Sequence, residues 1–256
     1  MNTNSVDIRR LELTRWEAVE NDQVVGCGEV SQRPDGRLFV SVDAWHDDVF
    51  DQIAATMLAT LRRPLHTVVD EADGGLLSCW GRAGFVTRRR EWEYLVPSDP
   101  ATTGLGAVTP PPDITVVPAG RAEEEPLRAV DRFIRDEIES TIGWQEMPAE
   151  ILRGPGGDTV VDPKLYVAAA QADRYVGLLR VVQVTRLPRI GLIAVRADAR
   201  RRGIGRAMLS RALGALHDRG IPTATTEVNE SNAAALALFD SVGARRVGGN
   251  LELVLR

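Results

Sequence analysis

A strand-like run that turns through glycine into a helix fixes most of what this chain can be. From Ile190 to Leu216 the sequence reads IGLIAVRADARRRGIGRAMLSRALGAL. Ile190 to Val195 is a nearly continuous apolar run, the mark of a buried strand. Arg200-Arg201-Arg202-Gly203-Ile204-Gly205 is a compact basic turn. Ile204, Met208, Leu209, Leu213 and Leu216 then recur at helical spacing, and Gly220 and Pro222 stop the helix. The first amides of a helix have no intrahelical acceptor, and the helix dipole adds positive charge at the same end. Glycines let a backbone approach an anion and arginines add charge, so the stretch is suited to hold a phosphate. It is not a P-loop, because Arg206-Ala207 follows Gly205 where Lys-Ser/Thr is required. Nor is it a dinucleotide fingerprint, whose third small residue would fall on Met208.

Arg200-x-x-Gly203-x-Gly205 resembles the Gln/Arg-x-x-Gly-x-Gly/Ala signature of the GNAT superfamily of N-acetyltransferases. Upstream, Val195-Arg196-Ala197-Asp198-Ala199-Arg200 follows that family's Val-x-Pro-x-x-Arg with alanine in place of proline. Downstream, Glu227-Val228-Asn229-Glu230-Ser231-Asn232-Ala233 through Leu238-Phe239, then Val242-Gly243-Ala244, is similar to its last strand and helix. Taken alone, the hexapeptide also fits an ordinary basic surface turn; the downstream block at the right distance argues against that. The resemblance covers Ile114 to the C-terminus well and the first half weakly. It implies acetyl-CoA as co-substrate, with backbone groups of Ile193 and Val195 pairing with the pantetheine arm. It also implies that the amides of Arg201, Arg202, Gly203, Ile204, Gly205 and Arg206, with Arg200 beside them, hold the pyrophosphate. Asn232 matches the asparagine that reaches the coenzyme arm, and equally suits a helix N-cap before Ala233.

The rest of the chain reads as mixed α/β (α+β). Gln23 to Val30 and Arg37 to Val42 are strands around a Pro34-Asp35-Gly36 turn, and His46 to Leu61 is helical. A strand at His66 to Val69, a helix at Leu76 to Ala83 and a strand at Glu91 to Val96 follow. Pro97 to Pro112, PSDPATTGLGAVTPPP, has the composition of a boundary. Beyond it come a strand at Ile114 to Val117 and an amphipathic helix or helix pair from Glu123 to Ile142. Arg153 to Gly157 reads as a loop. A hairpin joins Leu165 to Ala170 with Tyr175 to Val184, and a turn from Arg186 to Arg189 feeds the central strand. The expected domains are 1–97, a linker at 98–112, and 113–256.

The halves look like copies of each other: with Gly84 laid on Gly243, Val69, Glu71 and Leu77 meet Val228, Glu230 and Leu236. The resemblance then implies two mixed-sheet modules, the second complete and the first degenerate. In place of the arginine-glycine turn the first has Asp43-Ala44-Trp45-His46-Asp47-Asp48, whose carboxylates should repel a pyrophosphate. Its role is structural, or it helps to wall an acceptor site.

Glu227 is the candidate base, since it matches the glutamate of Leu-Glu-Val in N-terminal protein acetyltransferases. The alternative is a strand-edge carboxylate that pairs with an arginine. Phe239 stands where the family often has a tyrosine that protonates the departing thiolate, and phenylalanine cannot donate a proton. Tyr166 or Tyr175 could replace it only if the fold brings them close. Glu139 and Glu146 are other carboxylates over the acceptor, whose selectivity would sit in Ile138 to Pro148 and the Arg153 loop.

A net charge of -5 and a pI of 5.4 disfavour a general nucleic-acid partner despite the arginines. Cys27 and Cys79 lie far apart, as core thiols of a reducing compartment do, and His46, His66 and His217 share no metal-ligand spacing. No signal peptide or membrane span is legible, so a cytoplasmic monomer or homodimer without metal is expected. The leading function is transfer of acetyl from acetyl-CoA to a primary amine of a small molecule or peptide. A non-catalytic acyl-CoA-binding or partner-binding protein is the competing one.

Overall fold

The computed structural model describes residues 6–33, 36–141, 143, 161–184 and 187–256. It divides into two compact units, Met1–Glu91 with Gly248–Arg256, and Trp92–Val247. In the N-terminal unit, β1 (Asp7–Glu12), β2 (Arg15–Glu20), β3 (Gln23–Gln32) and β4 (Leu38–Ala44) form an antiparallel meander. Helix α1 (Asp47–Leu58) crosses to β5 (Leu65–Asp70), parallel to β4, and α2 (Gly74–Arg82) leads to β6 (Val86–Pro97). Residues 248–255 of the last strand, β12 (Arg245–Leu255), add to this sheet antiparallel to β5, from Asn250↔Asp70 to Leu255↔Leu65.

In the C-terminal unit, α3 (Pro100–Thr103) precedes β7 (Ile114–Val117) and α4 (Glu124–Glu139). Then come β8 (Tyr166–Gln171), β9 (Arg174–Val184), β10 (Leu187–Val195), α5 (Ile204–His217), β11 (Thr223–Asn229) and α6 (Ala233–Asp240). The sheet order is β6-β11-β10-β9-β8-β7, with β7/β8, β8/β9 and β9/β10 antiparallel and β10/β11 parallel. Each unit thus has mixed sheets with helices on them, as the α/β reading expects. Leu179, Ile190, Met208, Leu213, Val228 and Phe239 build one core under α5 and α6. Leu127, Ile134, Tyr166 and Leu178 build another under α4.

Several bounds differ from those read off the sequence. Helix α1 ends at Leu58 rather than Leu61, where Thr60 turns back onto the Met57 carbonyl through both its N–H and its hydroxyl. Helix α2 starts at Gly74 because Asp73 caps it, accepting the Leu76 N–H at 2.9 Å. Strand β6 begins five residues before Glu91, through an arginine run that hides the alternation. Strand β10 begins at Leu187, so residues 187–189 pair with β9 rather than turn. Pro34, Asp35, Ile142, Thr185, Arg186 and the 153–157 loop lie outside the described residues.

The two units repeat one local geometry at a constant shift of 159 positions, Asp73 to Asn232. Asp70 accepts the Ala72 N–H, and Asn229 accepts the Ser231 N–H, both at 2.9 Å. Asp73 caps α2, and Asn232 caps α6 by accepting the Ala235 N–H at 3.1 Å. Gly84 and Gly243 follow their helices at φ 91 and 72, a left-handed bend that favours glycine.

The arginine run is built around one buried carboxylate. Glu252 Oε1 accepts from Arg88 Nη1 at 2.8 Å and Arg37 Nη1 at 3.1 Å, and Oε2 lies 2.9 Å from Arg89 Nε. His66 Nδ1 is 3.0 Å from Oε1, its ring stacked on Phe39. Removing one partner of such a buried cluster costs about 3–5 kcal/mol. Burial, with Arg37 and Arg88 nearby, pushes the His66 imidazole below its ordinary 6.5 even though Glu252 opposes the shift. The unfolded chain therefore binds that proton at a higher pH than the folded one, and stability drains away as pH falls below 6.5. The melting temperature of the parent should drop more between about pH 7.5 and 5.5 than that of His66→Gln, which has no such proton to bind. Parallel Tm curves for the two would show that His66 is not coupled to folding.

Candidate active site

The parallel ladder between β10 and β11 lasts for only two pairs, Arg189↔Thr225 and Ile190↔Thr226. Its last rung carries an extra bond, the Thr226 hydroxyl donating to the Ile190 carbonyl at 2.9 Å. Immediately after Ile190 the β9/β10 register shifts by one residue, a bulge that bends β10. Strand β10 then continues with β9 alone, through Ile193↔Leu179 and Val195↔Gly177. In an antiparallel ladder alternate residues bond to the partner. Arg196 N–H donates to Val176 O, so Ala194 and Leu192 share that phase and bond toward β9. The N–H and C=O of Ile193 and Val195 consequently face the other way, toward the side that β11 has left.

Glu227 sits one residue past the last rung, half-buried, with its Oε1 3.4 Å from Arg189 Nη1. The ion pair expected as the alternative for this residue is therefore present.

Between β10 and α5 the chain passes through a single turn at Ala197–Ala199 and then the basic hexapeptide. Arg201 has φ 60 and Gly203 φ 84. Left-handed residues in a turn aim neighbouring N–H groups into a concavity, and only glycine takes that bend without strain. No side chain caps α5; its first intrahelical donor is Ala207, bonded to the Gly203 carbonyl. The N–H groups of Ile204, Gly205 and Arg206 come before it, at the positive end of the dipole. A Cβ on Gly205 would stand 3.8 Å from Ile193 Cδ1, so the helix start packs on the side chain of Ile193.

The arginines divide. Arg200 donates Nε to Val195 O at 2.9 Å. Arg206 donates to Ser241 Oγ at 3.0 Å. Arg202 pairs with Asp113, holding that carboxyl below the ordinary range with help from Gln171. Arg201 is exposed, with φ 60 as its only marked feature. Asn232 is the N-cap of α6, so the capping role read from the sequence is realised on its Oδ1.

Phe239 is buried at 1% exposure within α6. Tyr166 is buried among Leu127, Ala168 and Leu178, and the Tyr175 hydroxyl accepts the Glu123 N–H at 3.0 Å; neither stands beside Phe239. The aromatic that does is Tyr94, its ring stacked at 6.4 Å centroid to centroid. Sequence reasoning missed it, because Trp92-Glu93-Tyr94-Leu95-Val96 shows a strand without showing which core it enters. Glu139 ends α4, and Glu146 lies outside the described residues. Among the described residues no His, Cys, Asp and Glu cluster could hold a metal, and no helix is long and apolar enough to cross a membrane.

In the N-terminal unit β4 and β5 also pair for only two residues, Leu38↔Leu65 and Phe39↔His66. There Trp80, at the position matching Phe239, meets Phe50 edge-on at 4.9 Å and Phe85 at 4.7 Å. Asp47 and Asp48 stand at the N-terminus of α1, and Val68 takes the place of Glu227.

A strand pair that splays beside an uncapped, glycine-led helix decides the comparison with known proteins. Residues 131–244 match the acetyltransferase (GNAT) family. The GNAT fold extends beyond that segment. A GCN5-related N-acetyltransferase from Sphaerobacter thermophilus superposes with a TM-score of 0.63 at 16% identity, over 96% of this chain and 82% of that one. A tandem GNAT protein from the clavulanic acid biosynthesis pathway, without AcCoA, gives 0.64 at 14% identity, over 94% and 82%. At these identities the likeness is one of fold. In sequence, 51 residues are 49% identical to the [ribosomal protein bS18]-alanine N-acetyltransferase of Escherichia coli K12, covering 20% of this chain. The chain spans 34% of the length of that curated relative.

Proposed function

We propose that the C-terminal unit is an acyltransferase that moves acetyl from acetyl-CoA to the primary amine of a small molecule or peptide. The observation that carries this reading is the divergence of β10 and β11 after Ile190 and Thr226, beside the uncapped start of α5. An amide-bearing arm laid along Ile193 and Val195 would add itself as a strand. Its pyrophosphate would meet the N–H groups from Arg201 to Arg206, with Arg201 supplying charge and Arg200 and Arg202 steadied by their carboxylate partners. Asn232 caps α6 with Oδ1 and so keeps its side-chain N–H groups for the arm. The name of the matched relative supports an amine of alanine as one acceptor class. A cytoplasmic setting goes with this reading.

The donor supplies an activated carbonyl and a thiol leaving group. An ordinary amine is protonated at neutral pH and cannot attack until it loses that proton. Glu227 removes it, directly or through a water. The freed nitrogen then forms the C–N bond and gives up its second proton to water as the C–S bond breaks, and the sulfur leaves as thiolate or takes a proton back from water. A thiol with a pKa of about 8.5 is a tolerable leaving group, so Phe239 slows the step without forbidding it.

We propose further that the N-terminal unit is a degenerate copy that binds no coenzyme. The repeated turn, cap and glycine support the duplication, and Asp47 and Asp48 at the start of α1, in place of the arginine-glycine turn, support the loss. The competing reading, a coenzyme-binding protein without catalysis, draws on the Arg189–Glu227 pair and on Phe239.

Gly203→Asp puts a negative side chain where phosphate would sit, and aspartate is among the non-glycine residues enriched at left-handed φ. Calorimetry should show coenzyme A binding weakened by about tenfold or more in a folded variant; parent-like affinity would move the site elsewhere. Glu227→Gln should lower turnover by about a hundredfold, recover partly at high pH, and keep coenzyme affinity. Phe239→Tyr should match or exceed the parent rate. Thiol release by Glu227→Gln within about threefold of the parent would remove the glutamate from the mechanism.

A further inference from the structure

Glu137 lies on α4, but its carboxylate serves the coenzyme turn. Both oxygens accept the N–H of Ala197, each at 3.1 Å, and Oε2 lies 3.5 Å from Arg200 Nη2. Ala197 opens the single turn that carries the chain from β10 to the hexapeptide. Arg200, held from one side by Glu137, closes that turn by donating to the Val195 carbonyl. One helical turn earlier on α4, Phe133 lies under the Arg196 guanidinium, 3.6 Å from the ring centroid. Arg196 is in turn fixed by Asp198, at 3.2 and 3.1 Å. Residues four apart on a helix share a face. Phe133 and Glu137 therefore grip both ends of the 196–200 segment from one stripe of α4.

A carboxylate beside a diphosphate site opposes the ligand's charge. Its presence there makes sense if what matters is its geometry. Ala197 is where the backbone leaves β10, so the angle of its amide sets the path to Arg201 and Gly203. Moving that path by a fraction of an ångström moves every N–H at the start of α5.

We propose that Glu137 is a positioning residue for the coenzyme turn, acting by accepting the Ala197 amide rather than by its charge. This rests on the reading of that turn as the coenzyme site. Two variants separate acceptor from charge: glutamine keeps an acceptor oxygen, and alanine removes both while favouring the helix. Coenzyme A affinity is measured by calorimetry in the full chain, together with hydrogen exchange of the Ala197 amide. Glu137→Ala should bind about tenfold more weakly and expose the Ala197 amide to faster exchange. Glu137→Gln should stay within about threefold of the parent and keep that amide protected. An alanine variant that binds like the parent, or a glutamine variant as weak as alanine, overturns the proposal. Gly203→Asp serves as the control. If it too binds like the parent, the coenzyme reading itself has failed; if it loses binding while Glu137→Ala keeps it, only the role of Glu137 falls.

Discussion

The site depends on a ladder that stops. Two parallel pairs and the Thr226 hydroxyl lock β10 to β11, and the bulge after Ile190 then turns β10 away. Had the pairing continued, the amides of Ile193 and Val195 would be satisfied by β11 and Glu227 would be one more strand residue. Because it stops, an edge strand opens inside the sheet, with its polar groups aimed into a fork. Unpaired edges are costly and attract other chains. Here the helix that follows β10 packs its first turn on the Ile193 side chain and begins with amides that no side chain caps.

The N-terminal unit keeps the two-pair fork without the arginine-glycine turn. Its β4 and β5 part after two pairs, and its turn, cap and glycine match those of the other unit position for position. Yet carboxylates stand at the helix start, where the other unit has its arginines and glycines. Backbone geometry is set by a few caps and glycines, and it is shared by the two units although the charge at their helix starts differs.

Much of this was legible in the sequence, for identifiable reasons. The Ile204–Leu216 helix announced itself through period and its Gly220 stop, and Arg200-x-x-Gly203-x-Gly205 marked the turn, since left-handed bends and close approach demand glycine. The pairing of the halves through Gly84 and Gly243 was visible because capping residues keep a fixed offset. What was hidden depends on distance across the chain. Three arginines from β6 and the β3–β4 segment converge on Glu252, 164 residues beyond Arg88, and no local pattern reveals that. Tyr94 beside Phe239 and Glu137 beneath Ala197 are hidden for the same reason. The early start of β6 was masked by charges whose burial depends on partners far along the chain.

The central claim is that one fork, in the C-terminal unit, takes the coenzyme along its open strand edge. Hydrogen exchange of the full chain with and without acetyl-CoA tests it residue by residue. The account predicts slower exchange at Ile193, Val195 and the amides from Arg201 to Arg206, with no change at Val42 to Asp48. Protection of the Val42–Asp48 segment, or none at Ile193, Val195 and the α5 start, would contradict it.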